Sequence, residues 1–374
     1  MRSYPLEVRT EEALLRHLCL KTTAKRKGRL LYILPEQRRQ FLAEFMTVGG
    51  VAERVPSIPR TVLLAGDGGV ASVELGEILG VCAEAPLPRV LIKRQYLTLD
   101  GAGGIASMLQ RSSLSPAVFC PSGVGTISAL QRQLLGKERL VHFPLYSGLP
   151  RILQYTRHVF AGNHHISHFV NQELVAADSA RKVKQSIGVI QRVQLGAGLL
   201  CIIDRGEGGM DPVTFSGALA SAKKRRVPVV YDAKARELVY NNNVDIIKVN
   251  QDQIRRWFGI TNESDEMALK AAELVRVNSG ARCVVYTRRT QGVLVTGSPN
   301  GRDPAFLIRP QAKRLFDLVS VGDIVTAAFV FCLARYWPVL PAACFAATAA
   351  EFGLDRRYEK QFDLRVLIQS FNKL

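Results

Sequence analysis

Three short constellations carry side chains able to do chemistry. His164, His165 and His168 make an HHxxH cluster. On a helix His165 and His168 would share a face, a spacing that can hold zinc. No Cys or acidic residue accompanies them, so ligand count favours a polar or RNA-facing loop, and no metal site is expected. Lys223-Lys224-Arg225-Arg226 closes a helical stretch just before an apolar run. Cations there suit the helix dipole, and four together also offer contacts to a phosphate backbone. A second basic knot, Lys25, Arg26, Lys27 and Arg29, lies near the N-terminus. Arg255-Arg256-Trp257 could stack on a base, although a Trp is more often core. The seven cysteines are scattered with no CxxC, which reads as buried thiols in a reducing compartment.

The elements that must position these groups are legible from apolar patterning. Residues 60–67, Leu199–Ile203, Val227–Tyr231, Asp245–Val249 and Cys283–Tyr286 read as buried strands. Pro212–Lys224 and Asp265–Val277 read as helices between them, and two apolar helices follow at about Gly322–Arg335 and Pro341–Phe352. Such alternation predicts an α/β sandwich with a mostly parallel sheet covered on both faces. Residues 1–58 read as a separate basic extension with short helices over Glu11–Leu20 and Glu36–Phe45, leaving 59–374 as the main domain.

Phe316-Asp317-Leu318-Val319-Ser320-Val321-Gly322-Asp323, running directly into an apolar helix, resembles the Asp-x-x-Gly-Ala-Gly-Asp signature of the ribokinase (PfkB) sugar-kinase family. Further segments are similar to the bacterial heptose-7-phosphate kinase domain of that family and fall in its order. They are Gly66-Asp67, Ala83 to Pro88, Gly101 to Gly104, Asp204-Arg-Gly206-Glu-Gly208 (family Asp-Tyr-Gly-Lys-Gly), Asp232-Ala-Lys234, Val249-Asn250 and Thr287 to Gly292. The resemblance implies a ribokinase-like fold with a small β-lid. It also implies Asp323 as general base, the amides of Ser320, Val321 and Gly322 as an anion hole, and Asn250, Thr287 and Asp317 around ATP and magnesium.

Departures from the pattern fall on the chemistry. Ala71 and Gly104 replace the family's sugar-binding Asp and Asn and cannot hydrogen-bond a hydroxyl through a side chain. Gln253 replaces an acid, and a neutral amide is a poor ligand for a hard cation. Arg289 replaces a glycine of the nucleotide turn, and Ser-Val-Gly replaces Gly-Ala-Gly.

The chain has 374 residues, 47% of them hydrophobic, with 50 Lys and Arg against 32 Asp and Glu, a formal net charge of +18. That composition excludes wholesale disorder and a disulfide-stapled miniprotein. No apolar run reaches the roughly 18 residues of a membrane span, so no membrane partner is expected. The basicity points to polyanions. The leading expectation is a degenerate sugar-kinase homologue with no certain cofactor, acting as a structural or assembly component of an RNA-containing particle such as the mitochondrial ribosome. Partners would be RNA and proteins of that particle. The alternatives are an active ATP- and magnesium-dependent sugar or sugar-phosphate kinase, and a regulator that binds nucleotide without transferring phosphate. The basic N-terminus fits a mitochondrial address, whereas Glu7, Glu11 and Glu12 are unusual in a transit peptide; otherwise the compartment is another reducing one within the cell.

Overall fold

The structure, a computed structural model, describes residues 26–27, 30–48, 61–162, 164–235, 237–239, 242–261, 264–297, 305–311, 321–355, 363–364 and 366–367. In chain order the elements are β1 (Arg26–Lys27), β2 (Leu30–Ile33), α1 (Pro35–Val48), β3 (Thr61–Gly66), β4 (Gly68–Val81), β5 (Pro88–Asp100), α2 (Gly101–Arg111), β6 (Ser115–Pro121), α3 (Thr126–Lys137), β7 (Val141–Leu145), β8 (Arg151–Ala161) and β9 (His164–Val175). There follow α4 (Ala180–Val193), β10 (Ala197–Asp204), α5 (Pro212–Arg225), β11 (Val229–Ala233), β12 (Ile246–Asn250), α6 (Gln251–Phe258), α7 (Asp265–Ser279), β13 (Cys283–Thr287), β14 (Val293–Thr296), β15 (Ala305–Ile308), α8 (Val321–Leu333) and α9 (Val339–Asp355).

Eleven strands form the central sheet in the order β1-β2-β15-β14-β13-β12-β11-β10-β3-β6-β7. Its middle, β12-β11-β10-β3-β6-β7, is wholly parallel. Apart from the largely exposed edge strand β7, these strands are near-continuous apolar runs because both faces are covered. On one face α1, α2, α8 and α9 supply Phe41, Leu42, Ile105, Phe329, Phe331 and Phe345 to the core. The opposite face is covered by α5 and α7 through Phe215, Ala218, Ala271 and Val275, with Ile190 of α4 at the margin. Parallel pairing brings the C-terminal ends of β3, β10, β11 and β12 together, and the motif residues sit there. The second sheet, β5-β4-β8-β9, is the lid.

Two expectations change. The boundary at residue 58 cuts through a folded unit, because β2 pairs in parallel with β15 and α1 packs on α9. Leu30, Ile33, Phe41 and Leu42 are buried, and Arg38 is paired with Glu351 at 2.5 Å. Residues 30–48 are therefore built into the domain. Arg26 and Lys27 form the two-residue outermost strand; Lys25, Arg29 and the expected helix over Glu11–Leu20 lie outside the described residues. Leu42→Ala should cost about 2–3 kcal/mol in thermal or urea unfolding, as for other buried leucines. An unchanged midpoint would return α1 to the status of a detached arm.

The histidines lie on a strand, β9, rather than in the polar or RNA-facing loop that ligand count favours. Alternation would place His165 and His168 on opposite faces. The register shifts where Phe160 pairs with His165 and Val159 with Ser167, so Ile166 is an extra residue. That irregularity turns both rings to one side, where they meet His158 of β8 at centroid distances of 5.4 and 4.8 Å. The rings of His158 and His168 stack at 17° instead of converging on a point. Among the described residues no cluster of three or more His, Cys, Asp or Glu could hold a metal.

Candidate active site

Gly66 ends β3 with φ of 141°, and a Cβ there would lie 1.8 Å from the carbonyl oxygen of Ile203. Only glycine fits this approach, and it delivers Asp67 to the centre of the molecule. The buried Asp67 carboxylate accepts hydrogen bonds from the backbone N–H groups of Arg205 (2.6 Å), Glu207 (3.2 Å) and Gly209 (2.7 Å). Gly66-Asp67 and Asp204-Arg-Gly206-Glu-Gly208, remote in sequence, are thus one structural unit. Burial pushes the Asp67 carboxyl up in spite of these three donors. Burial, with the neighbouring Asp67 charge second, raises Glu207 to about 8 and Asp204 to about 6. The Tyr231 hydroxyl donates to Asp204 at 2.7 Å.

The fold of this loop aims Arg205 across the site. Its guanidinium clasps Asp100 with two bonds of 2.5 and 2.8 Å, and Nη2 also donates to Oδ2 of Asp323 at 2.7 Å. Lys234, just beyond β11, donates to Oδ1 of Asp323 at 2.8 Å. Both oxygens of the expected base are therefore held by cations. Burial alone would raise the Asp323 carboxyl, but Lys234 and Arg205 together hold it well below the usual carboxylate range. A general base works best with a pKa near the operating pH, and this carboxylate is far from it.

Below the pair lies a second ionic layer. Lys248 of β12 donates to Asp232 at 2.9 Å, and the Thr326 hydroxyl donates to the other Asp232 oxygen at 2.8 Å. A Cβ on Gly322 would stand 3.8 Å from Nζ of Lys234 and 4.0 Å from Nζ of Lys248. Two ammonium groups thus lie close to Gly322 at the start of α8. Ser320 and Asp317 lie outside the described residues.

Asn250 and Thr287 are brought side by side as register partners of β12 and β13. Their polar groups are committed locally. Asn250 Oδ1 accepts from the N–H of Asp252 (2.8 Å) and of Gln253 (3.1 Å), while Gln253 Oε1 accepts from the Asn250 N–H (2.8 Å). This is a closed capping box on α6. The Thr287 hydroxyl donates to the Val249 carbonyl at 3.2 Å. Arg289, at φ of 46°, pairs with the exposed Asp252 at 2.9 Å. The donors gathered here are neutral amides tied into a helix cap. As held here, the Asn250 and Gln253 amides are a poor fit to magnesium, which favours carboxylate oxygens.

Ala71 and Gly104, which stand where the resemblance implies sugar contacts, are both closely packed. Ala71 is buried in β4 between Thr98 and Thr156 of the flanking strands. A Cβ on Gly104 would meet the Leu99 carbonyl oxygen at 2.7 Å, leaving no room for an Asn. The lid covers this side: His158 is buried and interacts electrostatically with Asp100. Burial, with His168 and His165 next, lowers His158 to about 4.

Sequence reasoning found Asp323, Gly322 and Val321 at the site but not Arg205, Asp100, Lys248 or Glu207. The available signal was the Asp204–Gly208 motif, where Arg205 and Glu207 stand at the family's Tyr and Lys. Lys223, Lys224, Arg225 and Arg226 close α5, far from this centre, with Arg226 in the left-handed cap conformation at φ of 57°. Trp257 is partly buried and its indole N–H donates to the Ala235 carbonyl at 3.3 Å, so its core role stands.

The fold and sequence have known counterparts. The pfkB family carbohydrate kinase pattern matches residues 169–358, half of the chain. The bifunctional protein HldE of Rhodospirillum rubrum is 24% identical over 302 residues, covering 80% of this chain and 60% of that protein. HldE of Paramagnetospirillum magneticum is 25% identical over 314 residues, with 81% and 61% covered. The chain thus spans about three-fifths of the length of these curated relatives. Phosphofructokinase-2 from Escherichia coli in complex with fructose-6-phosphate superposes with a TM-score of 0.63 at 16% identity, over 85% of this chain and 99% of that one. Arabidopsis thaliana ribokinase complexed with ribose and ATP gives 0.58 at 14% identity, over 84% and 99%. The profile match, together with the ordered motifs meeting at one end of the sheet, makes this chain a member of the pfkB family of carbohydrate kinases.

Proposed function

We propose that this chain is a sugar-kinase homologue with a silenced catalytic centre, working as a structural or assembly component of an RNA-containing particle. The observation that carries the first half is the Arg205 guanidinium bridging Asp100 and Asp323. It lies where an acceptor hydroxyl would have to approach the base, and it satisfies a carboxylate that catalysis needs free. The absent side-chain hydroxyl contacts at Ala71 and Gly104 and the closed cap at Asn250 support the same reading. The second half rests on the charge of +18, which local phosphate chemistry does not require. The mitochondrial ribosome or its precursors would suit such a partner, and a mitochondrial location would follow.

An active ATP- and magnesium-dependent kinase is the second reading, favoured by Asp323 lying at the start of α8 beside Gly322 and Lys234. Purified chain given ATP, magnesium and a panel of heptose 7-phosphate, fructose 6-phosphate and ribose separates the two. No ADP release above background is expected; release that Asp323→Asn abolishes would overturn silencing. Co-sedimentation with ribosomal particles that is lost at high salt is expected. A chain that stays free of such particles at low salt would remove the second half.

A further inference from the structure

The structure assigns a second charged surface, built by α4 and α5 together, which we propose as a contact for the phosphate backbone of duplex RNA. This rests on the RNA reading above and locates it on the molecule. The two helices are adjacent: a Cβ on Gly217 of α5 would lie 3.0 Å from Ile187 of α4, and the Gln194 amide donates to the Ala218 carbonyl at 3.1 Å. Residues 180–203 and 212–231 contain no Asp or Glu. They do contain Arg181, Lys182, Lys184, Arg192, Lys223, Lys224, Arg225 and Arg226. Surface helices usually mix the two signs.

The α4 cations have a defined direction. At 3.6 residues per turn, Arg181, Lys184 and Arg192 fall within an arc of about 80°. The buried Val183, Ser186 and Ile190 lie on the opposite side, so the stripe points to solvent. Lys182 is turned away toward Asp178 (3.5 Å) and the Tyr146 ring (5.3 Å). On α5, Lys223, Lys224 and Arg226 are exposed, and Lys223 also reaches the Asn242 carbonyl at 3.3 Å.

Position takes the Lys223–Arg226 run away from the candidate active site. The α5 N-terminus is tied there by Asp211 and by Gly209, whose N–H donates to Asp67. Fourteen helical residues then carry the chain about 20 Å away before Lys223–Arg226 close it. Neither helix exposes an aromatic side chain, which is unlike the anchor of a protein interface or an interfacial membrane helix. A row of cations on rigid helices, free of acids and aromatics, matches contacts that grip a phosphate backbone without reading bases.

The test uses the full chain and a fluorescein-labelled 20-base-pair RNA duplex, with anisotropy followed against salt. Arg181→Ala, Lys184→Ala, Lys223→Ala and Lys224→Ala are combined in one variant. A control variant, Arg89→Ala, Lys93→Ala, Arg132→Ala and Lys137→Ala, loses the same charge elsewhere. The helix-face variant should bind at least about tenfold more weakly near 0.1 M salt, with a salt slope reduced by roughly 3, while the control stays near wild type. Matching thermal midpoints exclude misfolding as the cause. If wild type binds and both variants weaken alike, the surface is overturned while the RNA reading stands. If wild type binds phosphatidylserine vesicles but no RNA duplex, both fall.

Discussion

Replacing Arg205 by Met should destabilise the chain by about 3 kcal/mol, although no substrate contact is removed. The guanidinium holds Asp100 and Asp323 together in a site where Asp323 is 5% exposed and Asp100 18%. Removing one partner of a buried pair leaves carboxylate charge with diminished compensation, typically at a cost of several kcal/mol. Lys234 remains on Asp323, which moderates the loss. In a chain of 374 residues the thermal midpoint should fall by roughly 4 °C. Combining Arg205→Met with Asp100→Asn should recover more than about 1 kcal/mol relative to additivity. Strict additivity would mean that Arg205 acts as filler and not as a clamp.

The second large effect concerns Glu207 and is read through pH. Its folded carboxyl is raised from 4.5 to about 8, first by burial and then by Asp67. The native state therefore binds a proton that the unfolded state has released over that interval. The contribution of this group is complete below about pH 4.5 and is lost as pH rises toward 8, by on the order of 5 kcal/mol. Glu207→Gln keeps the neutral form at every pH, so its unfolding curve should be flatter and should lie above wild type at pH 8. Asp323 is lowered instead, so its contribution disappears only in acid, outside this window. Parallel stability profiles for the two proteins between pH 5 and 8 would contradict the assignment.

These effects explain what was and was not legible in the sequence. The parallel core was, because strands such as Leu199–Ile203 and Cys283–Tyr286 are apolar runs bounded by turns. Asp323 was visible because a Gly-Asp at the head of an apolar helix is a local signal. Arg205 was hidden: its partners lie 105 and 118 residues away, and no local spacing reports an ion pair of that span. Strand β2 was missed for a related reason. Four residues, Leu30–Ile33, carry little periodicity, and their parallel partner is β15. The HHxxH spacing is ambiguous because it fits a helical repeat, and a single extra strand residue reproduces the same shared face.

The proposed silencing requires that Asp323 be held as a carboxylate between two cations, unavailable as a base. Carbonyl-carbon NMR of aspartate-labelled protein, with the Asp323 side-chain signal assigned through Asp323→Asn, measures this directly. The signal should remain that of an ionised carboxylate down to the lowest pH at which the chain stays folded, and Arg205→Met should move its titration upward. An Asp323 carboxyl that titrates in wild type at or above its ordinary value of 3.8, with no response to Arg205→Met, would contradict it.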